Sequence, residues 1–298
     1  MSLNFLDLRG AYTALITPFS DSGDVDLAAL RGLVRRQIDG GISGLVPCGT
    51  TGEAATMSER ERLTVIETVA DEAGEDVSII AGTGTNNTNQ TVAFTRRVAQ
   101  IDGVDAALVV VPYYNKPGQE EMLRHFRTVA DEGGLPVVLY NVPSRTGVSL
   151  DAPTVTKLAE HNAIVGIKEA SADMALDSQI RAGTPDDFVL LSGDDFTTFP
   201  LIAIGGQGCV SVVSNLCPGD MSAMCDAALE GDFEKARKIH LAIQPLARAL
   251  FRKPNPIPVK IAAHQLGWCG PTLRGPLYEP GDEFKEMVND ALTAYGLL

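Results

Sequence analysis

The chain has 298 residues, 45% hydrophobic and 21% charged, an ordinary composition for a folded protein that excludes collagen-like, coiled-coil and disordered chains. Its 38 acidic residues outnumber 24 basic ones, for a net charge of −14, and a polyanion is a poor match for nucleic-acid phosphates or anionic membrane surfaces. Five cysteines, with no C-x-x-C pair, point to free thiols in a reducing cytosol and exclude a disulfide framework.

The opening residues show no basic region followed by an apolar stretch, and no segment approaches roughly eighteen consecutive apolar residues, so a cytoplasmic protein is expected. Short β-forming runs then recur at 12–16, 44–47, 77–81, 106–111, 136–140, 164–168, 188–192 and 209–213. Most are continuously apolar, the pattern of parallel strands covered on both faces. Helical spacing fills the gaps. Residues 26–39 carry Leu27, Leu30, Leu33, Val34 and Ile38 and stop at Gly40-Gly41. Ser58-Glu59-Arg60-Glu61 reads as a capping box ahead of Leu63, Ile66, Val69 and Ala70. Segments 91–101, 120–130 and 151–161 behave alike, and the helices after the sixth and seventh strands must be brief. Beyond about residue 220 the strand signals stop, leaving helices at 232–250, 259–266 and 282–295. This alternation predicts a (β/α)8 TIM barrel over residues 1–230 and a small C-terminal helical domain over 231–298.

Reactive groups in such a barrel belong at the C-terminal strand ends. The second strand runs into Cys48-Gly49-Thr50-Thr51-Gly52-Glu53, a turn whose backbone N–H groups can face an anion, helped by the helix that comes next; a hydroxyl-capped glycine turn explains it equally well. Cys48 reads as an ordinary buried thiol. The fourth strand ends in Pro112-Tyr113-Tyr114-Asn115 and the fifth in Tyr140, followed by Asn141-Val142-Pro143-Ser144-Arg145-Thr146-Gly147. Arg145 suits a substrate carboxylate or a surface ion pair. The sixth strand ends in Lys168, one of eight lysines. Burying an ammonium is costly, which favours the free amine, and a free amine condenses with a ketone or aldehyde to a Schiff base. The alternative is a strand-end lysine snorkelling to solvent. Glu169 should face away from Lys168. Lys260, among apolar neighbours in the C-terminal helices, reads as structural, Asp194-Asp195 as helix caps, and the four scattered histidines lack metal-ligand spacing.

Together, Gly49-Thr50-Thr51-Gly52-Glu53, Pro112-Tyr113-Tyr114-Asn115, Tyr140 to Gly147, Gly166-Ile167-Lys168-Glu169-Ala170, Leu191-Ser192-Gly193-Asp194-Asp195 and Asn255-Pro256-Ile257-Pro258-Val259-Lys260 resemble the dihydrodipicolinate synthase family. That family is one of the pyruvate-dependent class I aldolases, which include N-acetylneuraminate lyase. The resemblance covers nearly the whole chain, six motifs in order. It implies a lyase that joins pyruvate to L-aspartate semialdehyde, giving hydroxytetrahydrodipicolinate for diaminopimelate and lysine biosynthesis. It implies that Lys168 forms the Schiff base, that Thr51 holds the pyruvate carboxylate, and that Tyr140 passes protons through Thr50 to Tyr114, the last reaching across from a neighbouring subunit. Arg145 would bind the carboxylate of the aldehyde substrate, and Gly193 and Val210 would line the pocket. A phenol keeps its proton at neutral pH, so tyrosine serves as a positioned relay rather than a free base. The resemblance further implies a homotetramer built from two tight dimers, with no metal or redox cofactor.

Two other readings compete. One is a catabolic aldolase or dehydratase of the same family acting on a 2-keto-3-deoxy acid or hydroxyoxoglutarate. The other is a non-catalytic small-molecule-binding barrel. In lysine-inhibited members the inhibitor binds near positions matching Ala55, Glu59, Arg62, Asn86, Gln90 and Tyr113. A neutral Gln90 in place of a glutamate removes a countercharge for the lysine amine, so weak or absent lysine feedback is expected.

Overall fold

The computed structural model describes residues 8–298; the opening stretch read for a leader, residues 1–7, lies outside the described residues. All eight predicted strands form, each within two residues of its expected bounds. They are β1 (Gly10–Ala14), β2 (Gly44–Val46), β3 (Ser78–Gly82), β4 (Ala106–Val110), β5 (Val137–Asn141), β6 (Ile164–Glu169), β7 (Val189–Ser192) and β8 (Gly208–Ser211). They close into one parallel barrel in sequence order, β8 pairing back onto β1.

The continuous apolar runs are explained by two cores. Tyr12, Ala14, Val46, Ile80, Ala106, Leu108, Val138, Tyr140, Leu191 and Val210 fill the barrel interior. The alternate residues of the same strands, such as Ala107, Val109, Leu139, Ile167 and Leu190, pack outward beneath the helices. Both faces are therefore dry, as parallel strands require. Gly44 is needed in this packing, because a Cβ there would stand 2.1 Å from the Tyr12 ring.

Several helices begin where short polar side chains cap them. Asp26 accepts from the Ala29 N–H ahead of Leu27–Asp39, and Asp151 from Thr154 ahead of Ala152–Ala159. The Ser58–Glu61 capping box starts Glu59–Ala73. These caps satisfy otherwise orphaned amides. The brief helices are Met174–Gly183 after β6 and Thr198–Ala203 after β7. Helices Pro218–Leu229, Phe233–Leu250, Ile257–Gln265 and Asp282–Tyr295 complete the chain. Phe233–Leu250 packs along Pro218–Leu229 and Asp282–Tyr295. The segment around Ile257–Gln265 instead returns to the barrel mouth. No helix among the described residues is long and apolar enough to cross a membrane.

Candidate active site

Tyr140 and Lys168 are register partners on β5 and β6. Both belong to the inward-facing set, and both are buried. Lys168 Nζ lies 4.4 Å from the centre of the Tyr140 ring. Glu169, one residue on, faces away as the strand alternation requires. It accepts from Asn141 Nδ2 at 2.7 Å and the Ser171 N–H at 2.6 Å. Burial raises its carboxyl above the ordinary range, opposed by those two hydrogen bonds. The Asn141–Glu169 contact ties together the strand ends that carry Tyr140 and Lys168.

The Lys168 side chain needs Gly193 beside it. A Cβ at Gly193 would lie 2.6 Å from Ala170 Cβ and 2.9 Å from Lys168 Cε, so any side chain there would displace the lysine. Val210 sits in the barrel interior on β8 and is buried.

The Tyr140 hydroxyl faces Thr50 Oγ1 at 3.5 Å. That is wider than the ordinary O–H···O separation of about 2.7–2.8 Å, the looseness common where catalytic hydrogen bonds tighten on substrate. Thr51 is buried and its Oγ1 accepts from Asn255 Nδ2 at 2.8 Å. The turn carrying both threonines is pinned by Thr17 Oγ1, which donates to Gly52 O at 2.8 Å. The next element is only a three-residue 3-10 turn, Ala54–Thr56, whose first N–H is spent on Gly49 O. The longer helix, Glu59–Ala73, begins only after this turn, and the turn itself presents the hydroxyls of Thr50 and Thr51.

Thr50, Tyr140, Arg145 and Asn255 line one cavity of about 360 Å3. Arg145, on the short helix Pro143–Thr146, is exposed and donates from Nη2 to Asn255 O at 3.2 Å. No carboxylate among the described residues pairs with it, leaving its charge for a ligand. Tyr114 is not brought to this group. It is 88% exposed, with a left-handed φ of 74° that a tyrosine rarely adopts. A larger hollow of about 700 Å3 lies against Leu135, Ile164 and Phe188, at the opposite, N-terminal ends of the strands. Barrel chemistry belongs at the C-terminal ends, and the smaller cavity lies there, lined by Thr50, Tyr140 and Arg145 but not by the side chains of Lys168 or Thr51.

Three residues escaped the reading of the sequence as site components. Lys260 is fully buried; it donates to Glu53 Oε1 at 2.6 Å and Thr272 O at 2.7 Å, and lies 4.0 Å from the Phe19 ring centre. Burial lowers its ammonium below the ordinary lysine range, opposed by Glu53. Glu53 Oε2 also accepts from the Arg274 N–H. This buried pair and Asn255 clamp the C-terminal segment onto the threonine turn. An ammonium in an apolar helix must find a carboxylate, and that was the available signal. Asp195 does cap, but not the helix after β7: its Oδ2 accepts from the Val212 and Val213 N–H groups after β8. Cys48 is buried, and burial pushes its thiol up to about 12, which makes it inert. Among the described residues no three His, Cys, Asp or Glu side chains gather as a metal-binding set.

A family model described as the dihydrodipicolinate synthetase family matches residues 7–295. The chain is 44% identical to 4-hydroxy-tetrahydrodipicolinate synthase of Pelobacter propionicus, over 97% of this chain and 99% of that protein. It is 49% identical to the enzyme of the same name from Methanosarcina acetivorans, over 92% and 94%. Among solved structures, the chloride-inhibited dihydrodipicolinate synthase of Acinetobacter baumannii, complexed with pyruvate, superposes with a TM-score of 0.96 at 38% identity. That match covers 98% of this chain and all of the other.

Proposed function

The chain belongs to the dihydrodipicolinate synthetase family, and from that premise we propose that it condenses pyruvate with L-aspartate semialdehyde to 4-hydroxy-tetrahydrodipicolinate, a step toward diaminopimelate and lysine. The observation that carries this reading is the buried Lys168 amine over the Tyr140 ring, with the Tyr140 hydroxyl turned to Thr50.

The chemistry runs through these groups. The Lys168 amine adds to the keto carbon of pyruvate and water leaves, forming an imine. Once protonated, the imine withdraws electrons, and the proton lost by the pyruvate methyl passes along the Tyr140–Thr50 hydroxyls to Tyr114 and on to water, each hydroxyl releasing one proton as it takes one. The resulting enamine carbon attacks the aldehyde carbon, whose oxygen takes a proton back from the same hydroxyls. The amine of the aldehyde substrate then attacks the imine carbon, closing the ring and releasing Lys168. Thr51 holds the pyruvate carboxylate and Arg145 the carboxylate of the second substrate; Gly193 and Val210 shape the pocket. The condensation is redox-neutral and the protonated imine is its electron sink, so the proposed reaction calls on neither a redox cofactor nor a metal. Exposure of Tyr114 supports a tight dimer in which this hydroxyl completes the relay of a neighbouring subunit, two such dimers forming the tetramer.

The test is borohydride reduction with pyruvate. A mass increase confined to a peptide containing Lys168 is expected, and its absence refutes the reading. A substrate panel then separates the synthase from a catabolic aldolase: cleavage of hydroxyoxoglutarate, with no turnover of pyruvate plus aspartate semialdehyde, would assign the barrel to the second.

A further inference from the structure

Asn255 occupies an unusual position in this site. It is buried at the cavity wall, and its three polar groups go to different places. Its main-chain oxygen accepts from Arg145 at 3.2 Å. Its side-chain Nδ2 donates to Thr51 Oγ1 at 2.8 Å. Its Oδ1 is buried and has no partner.

A carboxamide nitrogen has protons and no lone pair to offer, so it can only donate. A threonine hydroxyl has one proton and accepts on its remaining lone pairs. Once Nδ2 fills an acceptor position on Thr51 Oγ1, the Thr51 proton must point elsewhere. Were the carboxamide reversed, Oδ1 would face Thr51 and draw that proton toward Asn255. The orientation seen leaves Oδ1 unsatisfied, a cost inside a protein. What it gains is a free Thr51 O–H. An anion beside Thr51 needs a donor, and a hydrogen bond to an ionised group is stronger than a neutral one.

We propose that Asn255 is a positioning residue that fixes the Thr51 hydroxyl as a donor to the carboxylate of the keto acid. The same residue holds Arg145 through its backbone, so one position in the C-terminal segment orients the binding groups for both substrates. This rests on the proposed synthase function, in which Thr51 meets the pyruvate carboxylate.

Two variants of similar shape test it. In Asn255→Asp the group facing Thr51 becomes an acceptor when ionised, so it captures the Thr51 proton and repels the keto acid. The pyruvate KM should rise roughly 10- to 100-fold near pH 8, the range expected for losing a hydrogen bond to a charged group, with a smaller change in kcat. Protonation of the new carboxyl restores a donor. The pyruvate KM of this variant should therefore recover toward that of the parent as pH falls to about 6, since burial lifts carboxyl groups toward neutrality. Comparison with the parent at each pH cancels titration of nearby Glu53, Lys260 and Arg145. Asn255→Leu introduces no buried charge and serves if the aspartate variant does not fold. It should raise the pyruvate KM by a similar factor with no recovery at low pH. A merely structural role would not reproduce that contrast. Parent-like pyruvate KM in either folded variant, or the same pH-independent rise in both, overturns the proposal. Failure of the parent to be trapped by pyruvate and borohydride at Lys168 overturns the functional reading and this inference with it. Normal trapping in the parent with unchanged KM in the variants overturns the inference alone.

Discussion

Lys168 and Tyr140 face each other across the β5–β6 ladder as register partners, with the amine nitrogen 4.4 Å from the ring centre. The neighbouring pair, Asn141 and Glu169, is hydrogen-bonded at 2.7 Å and ties the two strand ends together. Lys168→Ala should abolish borohydride trapping by pyruvate. Tyr140→Phe should keep trapping but slow turnover by about 10²–10⁴, the usual contribution of a positioned acid–base group. Trapping and turnover lost in equal measure would show that the Tyr140 hydroxyl acts before the imine forms.

Lys260 should behave differently from Lys168. Removing one partner of a buried ion pair strands the other charge, at a cost of about 3–5 kcal/mol. Lys260→Ala should lower the urea midpoint while the folded fraction is still trapped at Lys168. Replacing both partners, as in Glu53→Gln with Lys260→Met, should recover part of the stability, since no buried charge is then left without its counterpart. A single variant with an unchanged midpoint would mean that Glu53 finds another cation.

Under the proposed function, Arg145 should act on the second substrate and not on pyruvate. It is exposed and carries no carboxylate partner among the described residues, so its removal should cost little stability. Arg145→Ala should leave pyruvate trapping intact and lower kcat/KM for the aldehyde roughly 10- to 100-fold, as expected for losing a hydrogen bond to a charged group. Untouched aldehyde kinetics would remove the basis for assigning a carboxylate-bearing second substrate.

Stability should vary with pH through Asp177. This residue on Met174–Gly183 is buried, and its Oδ1 has no hydrogen-bond partner. Burial first, then the charges of Glu169, Asp173 and Asp194, push its carboxyl up from 3.8 to about 7. The folded state thus holds this proton more tightly than the unfolded state. The resulting stabilisation is fully present below about pH 4 and lost as pH rises through about 7. Asp177→Asn, which cannot ionise, should raise the melting temperature relative to the parent at pH 8, with the gap closing toward pH 4. A gap that is constant across that range would assign the effect to packing.

Lysine should inhibit weakly or not at all. Glu59, a candidate countercharge for a lysine amine, is instead paired with Arg97. Arg62 donates to Gly82 O at 2.8 Å and stacks on Phe94, and Gln90 is neutral. Initial rates at about 1 mM lysine should match those without it. An inhibition constant in the micromolar range would contradict this.

The barrel was legible in the sequence because strand and helix formation are local. Continuous apolar runs bounded by caps such as Asp26, Ser58 and Asp151 leave a segment few alternatives. Lys168 was legible for the same reason: an amine ending an apolar strand stands out without any partner being known. Its alternation with Glu169 comes from the two-residue period alone. What pins the threonine turn was not legible, because a contact such as Thr17 with Gly52, 35 positions apart, forms only once neighbouring strands have paired.

The sequence by itself determined the order of strands, their dry faces, and which strand end carries an amine, since each depends on residues within a few positions. Only the tertiary structure decided that Asn255 meets Thr51 across 204 positions, that Glu53 receives Lys260 across 207, and that Arg145 is held by the C-terminal segment. Those pairings arise when barrel closure and the returning C-terminal helix force buried polar groups to satisfy one another, a constraint that no local pattern of residues records.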